Sequence, residues 1–412
     1  MAESVLQPLE IADGVFWVGA VDWDVREFHG HHYHTVRGTT YNAYLLKGDK
    51  TALVDSVHAP FAEELFERLR PLISLDELDY VVVNHAEMDH SGCLPQVMAR
   101  APQATVVCTR NGERAIRRHY AADGWRFQQV RTGDAVDLGG RTLSFVEAPM
   151  LHWPDSMFTY VPELALLMPN DAFGQHLATS GRFDDEVDRA VLMDEASKYY
   201  ANILTPFDAL VEEKIKEVQQ AGIEIRMIAP SHGVVWRSAP QDILQAYLRW
   251  ATSPGQERVI VAYETMWGST QQMARAVIEG VLETGIEARL YLLPTSDRTQ
   301  VLRDIVESRG LALGCSTINK RVLPAMAAVL EELRGLQPEG KFGFAFGSHG
   351  WGGGAAKIIE DVLEGIKAAR VVERIEVTYR PTPADLEACK AAGRRLAEAV
   401  TAGEPQGAQV TP

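Results

Sequence analysis

Four side chains that bind metal ions well follow one predicted strand of this sequence. Val81–Val83 are β-branched and apolar, which predicts a buried strand. The next residues carry two imidazoles and two carboxylates: His85, Glu87, Asp89 and His90. Alternate side chains of an extended loop point the same way, so the first three converge on one spot, and His90 approaches from the other side. Such a set is typical of a metal site.

Three later loops add residues of the same types. Each loop follows an apolar, strand-like run, and the candidate ligands are His152, Asp171 and His232. Side chains at strand ends are held on a rigid scaffold, where loops usually carry the chemistry. One isolated histidine would indicate little, but four such loops in one domain predict a metal centre.

Three loops of the C-terminal part are rich in small, hydroxyl and aromatic residues. The first, at 264–270, opens a helix, so its amides and hydroxyls form a candidate phosphate cradle. It lacks the lysine of a Walker loop and is not Gly-x-Gly-x-x-Gly. The other two, at 314–319 and 347–354, offer backbone groups and an aromatic face for a flat ring. The candidate cofactor-binding residues are Thr265, Met266, Trp267, Gly268, Ser269, Thr270, Ser316, Thr317, Ile318, Asn319, Ser348, His349, Gly350, Trp351, Gly352 and Gly353.

The chain has 412 residues, which is more than one hydrophobic core usually supports, so the metal loops and the C-terminal loops are expected on two separate domains. Ser253–Glu257 is polar and breaker-rich, so we predict domains at 1–253 and 257–400 and a flexible tail at 401–412. The first domain alternates strands and helices in a way that predicts an αββα sandwich with the metals at one edge. The second predicts a doubly wound, five-stranded parallel sheet, with strands at 259–263, 290–293, 311–314, 342–346 and 374–377.

Bulk properties exclude several classes of protein. A net charge of −16 disfavours nucleic-acid binding. No apolar run approaches the roughly 18 residues of a membrane span, and the first residues lack a basic and then apolar segment, so we expect no export signal. The four cysteines are scattered, which disfavours a disulfide framework, an iron–sulfur cluster or a built-in rubredoxin module. We therefore expect a cytoplasmic protein.

The ligand pattern resembles the metallo-β-lactamase-like domain of the flavodiiron proteins, and the C-terminal loops come in the order seen in flavodoxins. The resemblance covers roughly residues 5–400. Zinc hydrolases of the same superfamily carry His-x-His-x-Asp-His, whereas this chain has Glu87 at the second position. A carboxylate there makes the site harder and more anionic, which favours iron over zinc.

The resemblance implies two irons and one flavin mononucleotide (FMN). One iron takes His85, Glu87 and His152, the other takes Asp89, His90 and His232, and Asp171 bridges them. His90 is left open as a ligand, because the matching residue turns away from the metal in some members. The FMN phosphate is expected on the first C-terminal loop, and its ring between the other two.

The resemblance also implies residues that line the metal pocket. His29 is expected beside the metals as a proton donor, since imidazole titrates near neutral pH. Either Tyr199 or Tyr200 faces the iron, and Asp55 either orients the ligand loop or is a simple turn residue. Two positions depart from the family: His349 stands where a tyrosine is usual, and the Gly353 region lacks a serine. A histidine at 349 is expected to shift the flavin potential.

The implied activity is reduction of dioxygen to water, which takes four electrons, or of two nitric oxide molecules to nitrous oxide, which takes two. The sequence leaves the choice open. The family pattern implies a head-to-tail homodimer, possibly a dimer of dimers, that places one subunit's flavin beside the other's irons. Electrons must come from outside, with rubredoxin as the first expectation and another reductase as the second.

Two other functions compete with this one. The first is a zinc-dependent hydrolase fused to a flavodoxin module, which Glu87 argues against. The second is a flavin-binding electron carrier whose metal domain is only structural. In that case His152→Ala or Asp171→Ala would leave electron transfer intact.

Overall fold

The computed structural model describes residues 6–403. They form two units, one of residues up to Tyr200 with Phe207–Ala251, the other of Ala201–Pro206 with residues from Thr252 onward. The main change of unit lies beside the predicted linker, whose exact position stays a prediction. Of the predicted tail, residues 401 and 402 continue the last helix, and 404–412 lie outside the described residues.

The strands of the first unit, in chain order, are β1 Leu9–Ala12, β2 Val15–Trp17, β3 Ala20–Asp22, β4 Glu27–Phe28, β5 Tyr33–His34, β6 Thr39–Tyr41, β7 Tyr44–Lys47, β8 Thr51–Val54, β9 Tyr80–Val82, β10 Thr105–Cys108, β11 Arg126–Gln129, β12 Ala135–Asp137, β13 Thr142–Glu147, β14 Met157–Val161, β15 Leu166–Met168 and β16 Met227–Ile228. The helices are α1 Ala62–Leu69, α2 Met88–Ser91, α3 Leu94–Arg100, α4 Arg110–His119, α5 Arg189–Ile203, α6 Asp208–Gln220 and α7 Pro240–Thr252. Single 3-10 turns lie at Ala59–Phe61, Leu75–Glu77, Pro162–Leu164, Asp184–Glu186 and Thr205–Phe207.

Two mixed sheets form the layers of the first unit. One has the order β1-β2-β7-β8-β9-β10-β11 and the other β12-β13-β14-β15-β16, with small pairs β3-β6 and β4-β5 beside them. Their apolar faces meet in one core, in which Trp17, Tyr44 and Val82 of the first sheet join Phe145 and Met157 of the second. Burying apolar side chains between two sheets is the main stabilising term of such a sandwich. The predicted αββα architecture is confirmed.

The second unit continues with β17 Gln256–Glu264, α8 Ser269–Leu282, β18 Glu287–Leu292, α9 Arg298–Val306, β19 Ser308–Ser316, α10 Pro324–Leu336, β20 Phe342–His349, α11 Ala355–Gly365, β21 Ala369–Arg370, β22 Ile375–Thr378 and α12 Pro383–Ala402, plus a 3-10 turn at Leu293–Thr295. All its strand pairs are parallel, in the order β18-β17-β19-β20-β21, with β22 also on β20. Helices α9, α10 and α11 pack on one face and α8 and α12 on the other. The doubly wound sheet is confirmed.

The fifth predicted strand, at 374–377, is present as β22, and β20 also pairs with an additional two-residue strand, β21, that the sequence did not predict. Residues 371–374 connect β21 to β22, and the amide of Val371 still donates to the carbonyl oxygen of Gly343 in β20 at 3.3 Å. Arg370 and Arg374 lie at the two ends of this connection. Their Nη1 atoms pair with the buried carboxylate of Glu360, at 3.5 Å from Oε1 and 2.8 Å from Oε2. These ion pairs tie the connection between β21 and β22 to helix α11, which carries Glu360. Among the described residues, no helix combines the length and apolar character needed to cross a bilayer.

Candidate functional site

The seven predicted metal ligands meet at one edge of the sandwich. His85 and Glu87 lie in the loop after β9, and the short helix α2 supplies Asp89 and His90. The loops after β13, β15 and β16 supply the remaining three, His152, Asp171 and His232. Within the described residues, two groups hold ligand atoms that all lie within 4.8 Å of one another: His85, Glu87 and His152, and Asp89, His90 and His232. They are the same two groups that the resemblance implies.

Asp171 lies between the two groups and turns one oxygen toward each. Its Oδ1 is 3.0 Å from Nε2 of His90 and 3.6 Å from Nε2 of His232. Its Oδ2 is 3.4 Å from Nε2 of His152 and 4.0 Å from Nε2 of His85. A carboxylate with this placement suits a bridge between two metal ions.

The charges of the site favour cations. Burial raises the pKa of Asp171, but the imidazoles of His90 and His152 outweigh burial and hold that pKa well below its usual range. Burial lowers the pKa of His90, yet the carboxylates of Asp171 and Asp89 raise it to about 9. Oδ1 of Asp89 and Oδ2 of Asp171 are buried and accept no hydrogen bond from the described residues. Buried carboxylates with free oxygens are normally paired with a cation, so the residues fit two metal ions.

Neighbouring groups fix which nitrogen of each imidazole faces the site. Nδ1 of His232 donates to the carbonyl oxygen of Thr40 at 2.6 Å. Nδ1 of His85 donates to the buried carboxylate of Asp155 at 3.1 Å, and the same oxygen accepts the amide of Ala86 at 2.8 Å. Both histidines therefore present Nε2 to the metals. Such partners orient a ligand and make it more basic. Asp155 lies in the same loop as His152, but the sequence pattern predicts no separate role for it.

We expect Asp155→Ala to weaken iron binding about 10- to 100-fold, because His85 loses the acceptor that fixes its ring. Titration of the metal-depleted protein with ferrous iron measures this change. Glu213→Ala, at an exposed position of α6, is the matched control and should leave the affinity unchanged. Equal affinity in the two variants would show that Asp155 does not orient His85.

Asp55 organises the backbone beneath the ligand loops. Its Oδ1 accepts the amide of Asn84 at 2.8 Å, and its Oδ2 accepts the side-chain amides of Asn84 and Asn170, both at 3.1 Å. Asn84 precedes His85, and Asn170 precedes Asp171. Asp55 and Asn170 adopt left-handed conformations, with φ of 58° and 55°, which these bonds stabilise. The structure therefore favours an orienting role for Asp55 over a simple turn.

His29 lies at a partly exposed edge of the site, beside Glu87. Its Nε2 is 3.1 Å from Oε1 of Glu87, and 29% of its side chain is exposed. Burial lowers the pKa of His29, but the hydrogen bond to Glu87 and that residue's charge outweigh burial and raise the pKa. An imidazole that contacts both solvent and a ligand carboxylate is well placed to carry protons inward.

The two candidate tyrosines donate their hydroxyl groups to different carboxylates. Tyr199 is buried and donates its hydroxyl to Oδ1 of Asp171 at 2.9 Å. Tyr200 donates instead to Oδ1 of Asp208 at 2.6 Å and contacts the ring of Tyr247. Neighbours on a helix point about 100° apart, so only one of them reaches the site. Of the two alternatives left open by the sequence, the contacts favour Tyr199 as the tyrosine of the metal pocket.

We expect Tyr199→Phe to lower the reductase rate about tenfold with iron content unchanged, because Asp171 loses a hydrogen-bond donor while keeping its metal-facing oxygens. Tyr200→Phe removes the same atom from the neighbouring position and should leave the rate near that of the wild type. Steady-state rates and iron content of both variants test this. Equal losses in the two would contradict the assignment of Tyr199.

His176 is a buried neighbour of the site that the sequence pattern does not indicate. Its ring centroid lies 4.5 Å from that of Phe28 and 4.9 Å from that of His232, and its Nδ1 is 2.8 Å from Oγ1 of Thr39. Burial and the charge of His232 hold its pKa well below the usual value, so the ring is neutral. A lone histidine with no regular spacing to other ligands carries no pattern that could have revealed it.

The three C-terminal loops also converge at the carboxyl ends of β17, β19 and β20. Oγ1 of Thr270 lies 2.9 Å from Oγ of Ser316 and 2.8 Å from Oγ of Ser348, so one hydroxyl from each loop meets the others. Trp267 and Trp351 stand almost fully exposed, at 93% and 96%. Helix α8 starts at Ser269, immediately after the first loop, and directs its free amides there. A helix N-terminus beside two open indoles fits a phosphate joined to a flat ring.

Comparisons with known proteins agree with this arrangement. Residues 39–233 match the model of the ODP family beta lactamase, and residues 261–393 match that of flavodoxin. A nitric oxide reductase of Moorella thermoacetica is 50% identical over 392 residues, which cover 95% of this chain and 98% of that protein. An anaerobic nitric oxide reductase flavorubredoxin of Escherichia coli is 42% identical over 390 residues, covering 94% and 81%.

Solved structures give the same result. The rubredoxin oxygen:oxidoreductase from Desulfovibrio gigas superposes with a TM-score of 0.94 at 35% identity, covering 96% of this chain and 99% of that one. The flavodiiron protein from Giardia intestinalis superposes with a TM-score of 0.92 at 38% identity, covering 96% and 97%. With the sandwich, the paired ligand groups and the flavodoxin loops all present in one chain, this protein belongs to the flavodiiron proteins.

Proposed function

We propose that this oxidoreductase reduces nitric oxide to nitrous oxide, with dioxygen as a second substrate, at two irons supplied with electrons through FMN. The observation that carries the proposal is the placement of Asp171, with one carboxylate oxygen toward each ligand group. Two metals sharing a bridge can hold two diatomic molecules, or both ends of one, next to each other. A hydrolytic zinc site would carry a histidine in place of Glu87.

His85, Glu87 and His152 would hold one iron, Asp89, His90 and His232 the other, and Asp171 both. The first C-terminal loop would hold the phosphate of FMN, and the second and third loops would hold its ring. When bound, these groups bind the gas and supply the electrons. His90 is included because its Nε2 lies 3.2 Å from Asp89 and 3.0 Å from Asp171, toward the site rather than away from it.

Two residues of the chain hold protons at the site, His29 and Tyr199. Formation of nitrous oxide from two nitric oxide molecules consumes two protons and releases one water. His29 holds a proton at Nε2 against Glu87 and contacts solvent, so it is the entry point for protons. Tyr199 holds its proton toward Asp171, and burial raises the pKa of that phenol well above its usual value. The phenol therefore stays protonated and acts as a fixed donor.

Relatives support nitric oxide as the main substrate. The Moorella and Escherichia proteins are both named nitric oxide reductases, and the first is half identical to this chain. The Desulfovibrio protein is named a rubredoxin oxygen:oxidoreductase, which supports dioxygen as a second substrate and rubredoxin as an electron donor. All these names denote redox enzymes, which favours this function over the zinc hydrolase.

We propose a head-to-tail homodimer because each unit exposes apolar side chains at its own site. Met88 and Met150 are 52% and 38% exposed, and both lie within two residues of predicted ligands. Trp267 and Trp351 stand out at the flavin loops. Apolar groups of this kind at functional edges mark interaction surfaces. Pairing the flavin loops of one subunit with the metal loops of the other would cover both patches.

We place the protein in the cytoplasm, since its four cysteines are buried free thiols.

Anaerobic stopped-flow spectroscopy of the reduced, metal-quantified protein tests the substrate assignment. We expect about two irons and one FMN per chain, and faster reoxidation by nitric oxide than by dioxygen. Faster reoxidation by dioxygen would reverse the order of substrates. A monomeric yet fully active protein in sedimentation would refute the dimer.

A further inference from the structure

His349 ends β20 and begins the third C-terminal loop. Its pairing partner in the sheet is Thr378 of β22, while the pairing of β20 with β19 ends one residue earlier, at Ser348. Its carbonyl oxygen accepts the amide of Tyr379 at 2.7 Å, so the backbone at this point is fixed on the sheet. A side chain held in this way has a defined direction, which makes the environment of its two ring nitrogens informative.

The two nitrogens of His349 have different surroundings. Nδ1 is buried and has no hydrogen-bond partner among the described residues. A proton on Nδ1 would therefore be a buried donor without an acceptor, which is unfavourable. The neutral ring accordingly carries its proton on Nε2, the nitrogen of the accessible edge.

That accessible edge faces the glycine-rich loop and one carboxylate. A Cβ built on Gly353 would lie 3.4 Å from Cδ2 of His349, the carbon bonded to Nε2, and 2.5 Å from Oε1 of Glu376. The absence of a side chain at Gly353 therefore keeps this space open. The other oxygen of Glu376 pairs with Nε of Arg374 at 3.3 Å, which offsets part of its charge.

We propose that His349 contacts the flavin ring and donates its Nε2 proton to it, a bond that strengthens when the ring gains negative charge on reduction. The proposal rests on the function above, which takes FMN as the ligand of these loops. A donor that binds the reduced ring better than the oxidised ring raises the reduction potential, because the difference in affinity is the shift in potential. His349 thus sets how readily the flavin accepts electrons.

The test compares three substitutions of His349 in the full-length holoprotein. Glutamine keeps an N–H near the position of Nε2, asparagine places its amide near Nδ1, and phenylalanine keeps the size with no polar atom. We expect His349→Phe and His349→Asn to lower the affinity for reduced FMN relative to oxidised FMN about tenfold, which is about 30 mV for a two-electron couple. His349→Gln should stay within about twofold of the wild type.

Potentiometric titration and the dissociation constant of oxidised FMN are the readouts, and neither needs turnover. Wild-type potentials in all three variants, or rescue by asparagine in place of glutamine, would overturn the proposal. Glu376→Gln tests the competing acceptor. His349→Phe is therefore also made in the Glu376→Gln protein. If His349→Phe no longer changes the flavin potential there, the Nε2 proton belongs to Glu376 and the proposal falls. A wild-type protein that binds no FMN would instead defeat the proposed function itself.

Discussion

We expect Asp171→Asn to leave about one iron per chain in place of two and to lower nitric oxide reduction by more than about a hundredfold. Asparagine keeps the shape of the side chain but removes its charge, and its nitrogen is no metal ligand. One of the two oxygens that face His90 and His152 is therefore lost. The carboxylate is also the group that both ligand sets share, so its loss affects both metals.

Asp208→Asn is the matched control for this substitution. Asp208 also accepts a tyrosine hydroxyl, from Tyr200, but belongs to neither ligand group. Metal analysis and the anaerobic nitric oxide rate of both variants provide the comparison. An Asp171→Asn protein with two irons and the wild-type rate of nitric oxide reduction would mean that the metal domain is only structural. The flavin electron carrier would then become the better assignment.

The second large effect is expected for Glu87→His, which gives this chain the His-x-His-x-Asp-His pattern of the zinc hydrolases. The carboxylate of Glu87 lies 3.2 Å from Nε2 of His85 and 3.5 Å from Nε2 of His152. An imidazole there makes the first group less anionic and softer, so zinc should replace iron as the main metal. We expect reductase activity to fall about a hundredfold, because zinc has no accessible redox change.

Glu87→Asp is the control, since it keeps the carboxylate on a shorter stem and should still favour iron. Expression with both metals supplied, followed by elemental analysis, gives the zinc-to-iron ratio of each variant. If Glu87→His bound iron as the wild type does and kept its rate, then Glu87 would not be the residue that selects iron. The Glu87 carboxylate also holds His29, so His29→Gln separates loss of that contact from loss of the ligand.

Much of the fold and the ligand set could be predicted because each is encoded locally. The strand at β9 and the residues after it form one continuous pattern, from Val81 to His90, in which spacing alone indicates convergence. The order of strands and helices in the second unit likewise specifies a parallel sheet. The short strand β21 could not be predicted, because its two residues, Ala369 and Arg370, form no apolar run and pair only with the distant strand β20.

Residues that act through another residue were harder to find. Tyr199 and Tyr200 are adjacent and chemically identical, and the phase of α5 relative to Asp171 is set by tertiary packing. Asp155 acts on His85, which lies 70 positions earlier, so no local spacing connects them. His176 has no partner in its own segment. Each of these roles depends on contacts between distant parts of the chain.

Iron-edge anomalous diffraction from crystals of the holoprotein tests the central claim most directly, because it locates each metal among named side chains. We predict two iron peaks, one among His85, Glu87 and His152 and one among Asp89, His90 and His232, with Asp171 in contact with both. A single peak, a signal at the zinc edge in place of iron, or a second metal held by other residues would contradict this account.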